Sequence, residues 1–293
     1  MKNLFKKKII IGTRSLSGDL GIVDKKKICK TIEYSINKGF NYFDTAPFYG
    51  DGLGDEILAN FKKEIIVDTK CGYNLSFTKK TFSISDINKT LELVLKKFNR
   101  INIFYIHNPR NEIKNWDKII ELMLNLKKEK LIKFSGISLA RDYYFNQKIL
   151  NNFDIIQDDI NILRNSPFTY LKEFKGKIIS RSIFASGCLN GKLSKSSKFE
   201  KNDYRFNWLK GDRLNSILYQ ISQIKKIYKG DIRKVALGYV LKKKKVKKII
   251  IGIKNKSHID FLCNNDFLIS RKIVNKIDFI NKGSFFNKDI NGY

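Results

Sequence analysis

The feature that most restricts how this chain can fold is an alternation. Short, β-rich apolar runs close at polar or glycine-containing turns and give way to longer segments with apolar residues three and four apart. Eight runs recur: Lys8–Thr13, Phe40–Ala46, Glu64–Gly72, Ile101–Asn108, Phe134–Leu139, Ile155–Asn161, Lys177–Phe184 and Lys248–Lys254. Helical spacing fills stretches such as Lys26–Asn37, Ser85–Phe98, Trp116–Glu129 and Leu214–Tyr228. Strand followed by helix, repeated, requires a parallel sheet. An open doubly wound sheet is the alternative, but eight repeats with no antiparallel interlude favour a closed (β/α)₈ TIM barrel. The 293 residues are close to the size of one such barrel, about 250 residues. We therefore expect a single domain over 1–293, with a long βα connection at 189–212 lying near the active site and a C-terminal helix and tail over 268–293, the helix packed across the barrel.

Charge is the next constraint. Lysine and arginine number 58 against 28 acidic residues, a formal net charge of +30, which raises nucleic acid or an anionic surface as partners. The lysines are spread over almost every segment beside abundant Asn, Ile and Phe, the residue usage of an AT-rich coding sequence, and no recognition motif accompanies them. Neither a specific nucleic-acid partner nor a membrane partner is expected. The densest basic run, Leu241–Lys248, reads as a helix end running into an apolar strand, where cations suit the helix C-terminus. The apolar run after the basic Met1–Lys8 stops at Gly12, shorter than a signal-peptide core. Cys29, Cys71, Cys188 and Cys263 form no CxxC pair, so a reducing cytoplasm fits and no metal site is indicated.

Catalytic groups of such a barrel sit where strands end, at the C-terminal face. Four ionisable residues fall there. Asp44 and Tyr49 flank the end of the second strand in Phe43-Asp44-Thr45-Ala46-Pro47-Phe48-Tyr49-Gly50, Lys70 ends the third, and His107 ends the fourth. Singly, Asp44 reads as a cap or turn residue, Tyr49 as an amphipathic rim residue, and Lys70 as one lysine among many. Jointly they make a site for carbonyl reduction. Hydride addition leaves negative charge growing on oxygen, so a proton donor must face that oxygen. Tyr49 fits the donor role, Lys70 eases release of its proton, Asp44 pairs with Lys70, and His107 orients the carbonyl.

This stretch, with Lys70 and His107 following in order, resembles the aldo/keto reductase family and its Asp, Tyr, Lys, His tetrad, and the barrel pattern extends the resemblance over essentially the whole chain. A GxGxxG turn after the first strand is missing, which argues against Rossmann-type dinucleotide binding. The resemblance instead implies a barrel-borne NADPH site, with NADH also compatible. Asp44, Ser138 and Gln157 would lie by the nicotinamide. Arg181, Ser182, Phe184 and Lys192 belong to a segment similar to the one that embraces the pyrophosphate. Gly252, Lys254 and His258, with Lys256, stand where the family binds the adenosine 2′-phosphate. The chain departs from the family at Leu139, Leu262 and Ala59. The implied activity is reduction of an aldehyde, ketone or keto-sugar, with a nicotinamide-binding sensor of little turnover on the same fold as the alternative. Arg14, Arg110 and the region of Phe206 and Trp208 would line the substrate opening. The partner is a small carbonyl compound, and the chain is expected to be a monomer or weak oligomer.

Overall fold

The strands pair in chain order and the last returns to the first, as seen in a computed structural model that describes residues 5–18, 24–110, 113–139, 145–201 and 203–282. They are β1 (Ile9–Gly12), β2 (Tyr42–Asp44), β3 (Ile66–Cys71), β4 (Ile101–His107), β5 (Ile132–Ser138), β6 (Ile155–Asp159), β7 (Lys177–Arg181) and β8 (Val246–Gly252), all parallel and closed into one barrel. Closure is carried by β1 and β8, with Ile9 opposite Ile249 and Gly12 opposite Gly252. Every expected strand is present, most of them trimmed at the ends, whereas β5 and β8 begin earlier than their apolar runs, so that Lys247 and Lys248 of the basic run belong to β8.

The helices are α1 (Lys25–Asn37), α2 (Leu53–Ala59), α3 (Ile84–Lys97), α4 (Trp116–Lys128), α5 (Gln147–Leu150), α6 (Pro167–Tyr170), α7 (Arg205–Trp208), α8 (Gly211–Ile227), α9 (Ile232–Lys242), α10 (Lys256–Asn264) and α11 (Arg271–Lys282). Local chemistry sets several of their starts. The Asp24 carboxylate accepts the N–H groups of Lys26 and Lys27 ahead of α1, and Ser83 accepts that of Asp86 ahead of α3. Each then buries one stripe, Ile28 and Ile32 in α1, Ile87, Leu91 and Val94 in α3. Among the described residues no helix is long and apolar enough to cross a membrane.

Alternate strand residues fill the barrel. Ile10, Tyr42, Ile103, Tyr105, Ile155, Ile179 and Ile250 form a separate apolar cluster inside it, while the larger core lies between strands and helices. Gly136 makes room for the Tyr105 ring. A Cβ there would stand 2.4 Å from the Tyr105 ring, so the strand beside Tyr105 must carry no side chain at that level.

The 189–212 connection contains α7 and the start of α8, and Leu189, Trp208 and Leu209 are buried. The C-terminal helix lies in the outer layer against α8 and α9 and does not cross the barrel. Its Asp278 is held by Tyr239 at 2.5 Å and by Lys243, from the basic run, at 2.6 Å, while Asn281 accepts from Gln220 at 2.7 Å. The tail over 283–293 lies outside the described residues.

Candidate active site

Asp44 and Lys70 end adjacent strands on the inner side of the barrel. Lys70 Nζ donates to Asp44 Oδ1 at 2.6 Å and to the Thr45 carbonyl at 2.8 Å. The ammonium is fully buried, and burial alone would push its pKa down. The Asp44 charge, with Tyr49 adding to it, outweighs burial and raises the pKa above the usual lysine value. Thr45 is fixed in turn, its hydroxyl donating to Asp55 Oδ1 at 2.7 Å.

Tyr49 enters the mouth from the turn after β2. Gly50 makes that turn possible: it has φ +55°, and a Cβ on it would fall 1.8 Å from the Ser17 carbonyl oxygen. Tyr49 is buried, with Lys70 Nζ 5.1 Å from its ring centre. His107, at the end of β4, stacks on Phe48 at 5.0 Å and meets Tyr49 edge-on at 6.4 Å, and Phe48 stacks on Tyr73 at 4.5 Å. Burial holds the His107 pKa well below the ordinary histidine value, reinforced by the charges of Lys70, Arg181, Arg14 and Lys80. The ring is therefore neutral near pH 7. Its Nδ1 is buried with no hydrogen-bond partner among the described residues. The structure thus brings all four tetrad residues together.

The other side of the mouth is a directed chain of hydrogen bonds. Gln157 Nε2 donates to Asp44 Oδ2 at 2.8 Å, and Ser138 Oγ donates to Gln157 Oε1 at 2.9 Å. Arg181 Nη1 donates to Ser138 Oγ at 2.6 Å, Nη2 to the Leu139 carbonyl at 2.6 Å, and Nε to Asp159 Oδ1 at 2.7 Å. Sequence reasoning passed over Asp159. It lies two residues beyond Gln157 on the same strand and so on the same inward face, and that spacing was the available signal.

After β7, Ser182, Ala185 and Ser186 take left-handed backbone conformations, and the Ser182 carbonyl accepts from Asn161 at 3.0 Å. Phe184 is half-buried there, and the Lys192 N–H bonds to Asn190 Oδ1 at 2.8 Å. Gly252 lets β8 pass Ser15, whose Oγ would stand 3.1 Å from a Cβ and donates to the Ile253 carbonyl at 2.7 Å. Beyond it, the Lys254 N–H donates to His258 Nδ1 at 3.2 Å. Both residues have lowered pKa values. Burial acts first on each, then Arg205 on Lys254, and Lys254, Arg233 and Lys192 on His258. Lys256 does not join this group, since its Nζ lies 5.2 Å over the Tyr34 ring on α1.

At the rim, Arg14 lies 5.2 Å over the Tyr204 ring, Arg110 is exposed, and Phe206 is 40% exposed. Trp208 is buried, 5.9 Å from Tyr204, and so anchors its connection to the core. Asp203 and Arg205 form an ion pair in the same connection. Leu139 and Leu262 are both buried apolar residues.

Residues 8–282 match the sequence profile of the Aldo/keto reductase family. The chain is 25% identical to the L-galactose dehydrogenase of Arabidopsis thaliana over 272 residues, 85% of this chain and 81% of that protein. It superposes on the glycerol dehydrogenase of Gluconobacter oxydans with a TM-score of 0.77 at 19% identity, covering 96% and 93% of the two chains. An aldo-keto reductase from Bacillus halodurans in its holo form gives a TM-score of 0.74 at 20% identity, over 93% and 91%.

Proposed function

The chain belongs to the aldo/keto reductase family, an oxidoreductase on that footing, and from this premise we propose that it reduces the carbonyl of an aldehyde, ketone or keto-sugar with NADPH, Tyr49 giving the proton. The observation that carries the reading is the buried Lys70 ammonium, held by Asp44 at 2.6 Å and lying 5.1 Å from the Tyr49 ring.

Nicotinamide dinucleotide, when bound, supplies the hydride. The remaining work falls to the chain. The positive charge of Lys70 stabilises the phenolate that Tyr49 becomes when it gives its proton to the carbonyl oxygen. Asp44 keeps Lys70 charged despite burial and fixes its place. Neutral His107, lodged between Phe48 and Tyr49, offers a hydrogen bond to the same oxygen and sets the angle of approach. The stacked rings of Phe48 and Tyr73 give the mouth an apolar edge beside His107.

The residues present fit the cofactor. The His107 Nδ1 is buried without a hydrogen-bond partner among the described residues, a polar atom that a bound molecule would satisfy. Ser138, Gln157 and Arg181 form a polar floor beside Asp44. Lys254 and His258, both pushed toward their neutral forms by burial and neighbouring cations, gain from an anion placed beside them. Their position at the start of α10 suits a phosphate, which favours NADPH over NADH. Gly252, Ser182, Phe184 and Lys192 would flank the rest of the dinucleotide, as the family resemblance implies.

The test is NADPH oxidation with a panel of aldehydes, ketones and keto-sugars. The expected outcome is substrate-dependent loss of reduced cofactor. NADPH binding with no turnover on any substrate would overturn the reductase reading in favour of a nicotinamide sensor.

A further inference from the structure

We propose that Arg181, steadied by Asp159, is a specificity-determining residue that makes the mouth hold the reduced form of the nicotinamide cofactor more tightly than the oxidised form. The inference rests on the nicotinamide reading above. It starts from a difference in charge: a nicotinamide ring is neutral when reduced and cationic when oxidised. A ring that delivers hydride to a carbonyl held by Tyr49 and His107 must sit beside both, above the floor made by Asp44, Gln157 and Ser138. Arg181 reaches that floor, with Nη1 2.6 Å from Ser138 Oγ, and its charge is felt at His107.

The guanidinium cannot shed its proton to relieve the repulsion. Its side chain is 18% exposed, and its acidic partner Asp159 is fully buried, so water screens the pair weakly. Asp159 bonds Nε, whereas Nη1 and Nη2 carry the bonds to Ser138 and the Leu139 carbonyl. The pair is therefore a dipole whose positive end touches Ser138. Lys70 is held by Asp44 at 2.6 Å, and of the cations felt at His107 Arg181 is the one bonded into this polar floor, through Ser138. The same repulsion opposes the departure of hydride. Arg181 thus favours loading with reduced cofactor and easy release of the oxidised product over the speed of the hydride step itself.

The test is direct binding of NADPH and of NADP⁺, followed by tryptophan fluorescence or calorimetry at fixed ionic strength, for the wild type, Arg181→Gln, Arg181→Lys and Asp159→Asn. The wild type is expected to prefer NADPH. Arg181→Gln should cut that preference by about five- to tenfold, the scale of one partly compensated charge nearby. Arg181→Lys should retain most of it, and Asp159→Asn should enlarge it, so the result does not hang on one variant that folds poorly. An unchanged ratio in Arg181→Gln, or an equal fall in Arg181→Lys, would overturn the proposal. Failure of the wild type to bind either form would defeat the nicotinamide reading, and this inference with it.

Discussion

Two lysines at the mouth of the barrel are pushed in opposite directions. Lys70, at the end of β3, is buried and holds its proton more firmly than a free lysine, because Asp44 stands 2.6 Å away. Lys254, just beyond β8, is exposed to solvent and holds its proton less firmly, because partial desolvation and Arg205 outweigh Asp203. The first side of the mouth is complete in itself, with its charge matched within the chain. The second side is under electrostatic strain, its cations lowering one another's pKa values. On the function proposed above, the satisfied side carries the chemistry and the strained side recognises the cofactor.

The largest expected effect breaks the satisfied side. Asp44→Asn leaves Lys70 buried without its counter-charge and should cost about 3–5 kcal/mol of stability, read by thermal unfolding, together with most of the turnover. A variant as stable and active as wild type would show that the pair is ornamental. Next, Gly136→Ala drives a methyl group into the Tyr105 ring beneath the site and should cost about 1–3 kcal/mol, with little change in cofactor affinity. A smaller effect probes the strained side. Lys254→Gln should weaken NADPH binding about tenfold, the scale of one charge-assisted hydrogen bond, while NADH binding stays nearly unchanged. Equal weakening of both would remove the 2′-phosphate from this corner. The smallest is a pH effect. The His258 pKa is lowered in the free protein, and a phosphate beside it would raise it again, so binding takes up protons and NADPH affinity should strengthen as pH falls below 7. His258→Asn should flatten that slope, as calorimetry in buffers of different ionisation enthalpy would show.

The barrel was legible because each strand is a compact β-rich run bounded by turn residues, and parallel strands need helices between them. The grouping of the four was legible because Asp44, Lys70 and His107 fall at strand ends and Tyr49 in the turn after β2. The hydrogen bonds on the opposite side were not, because they join β2, β5, β6 and β7, and nothing along the chain says that Ser138 spends its proton on Gln157 or that Arg181 reaches Asp159. Spacing also does not reveal that Lys256, two residues beyond Lys254, lays its side chain over the Tyr34 ring on the neighbouring helix. The outer-layer position of α11 depends on the contacts of Asp278 with Tyr239 and Lys243, which spacing alone does not reveal.

The most direct test of the central claim compares wild type with Tyr49→Phe, measuring NADPH affinity and single-turnover reduction of whichever carbonyl the wild type accepts. The account predicts cofactor affinity within about twofold of wild type and reduction slowed by at least ~100-fold, the lower range for a positioned general acid. Reduction by Tyr49→Phe at a rate near wild type would contradict it, because the proton would then be coming from elsewhere.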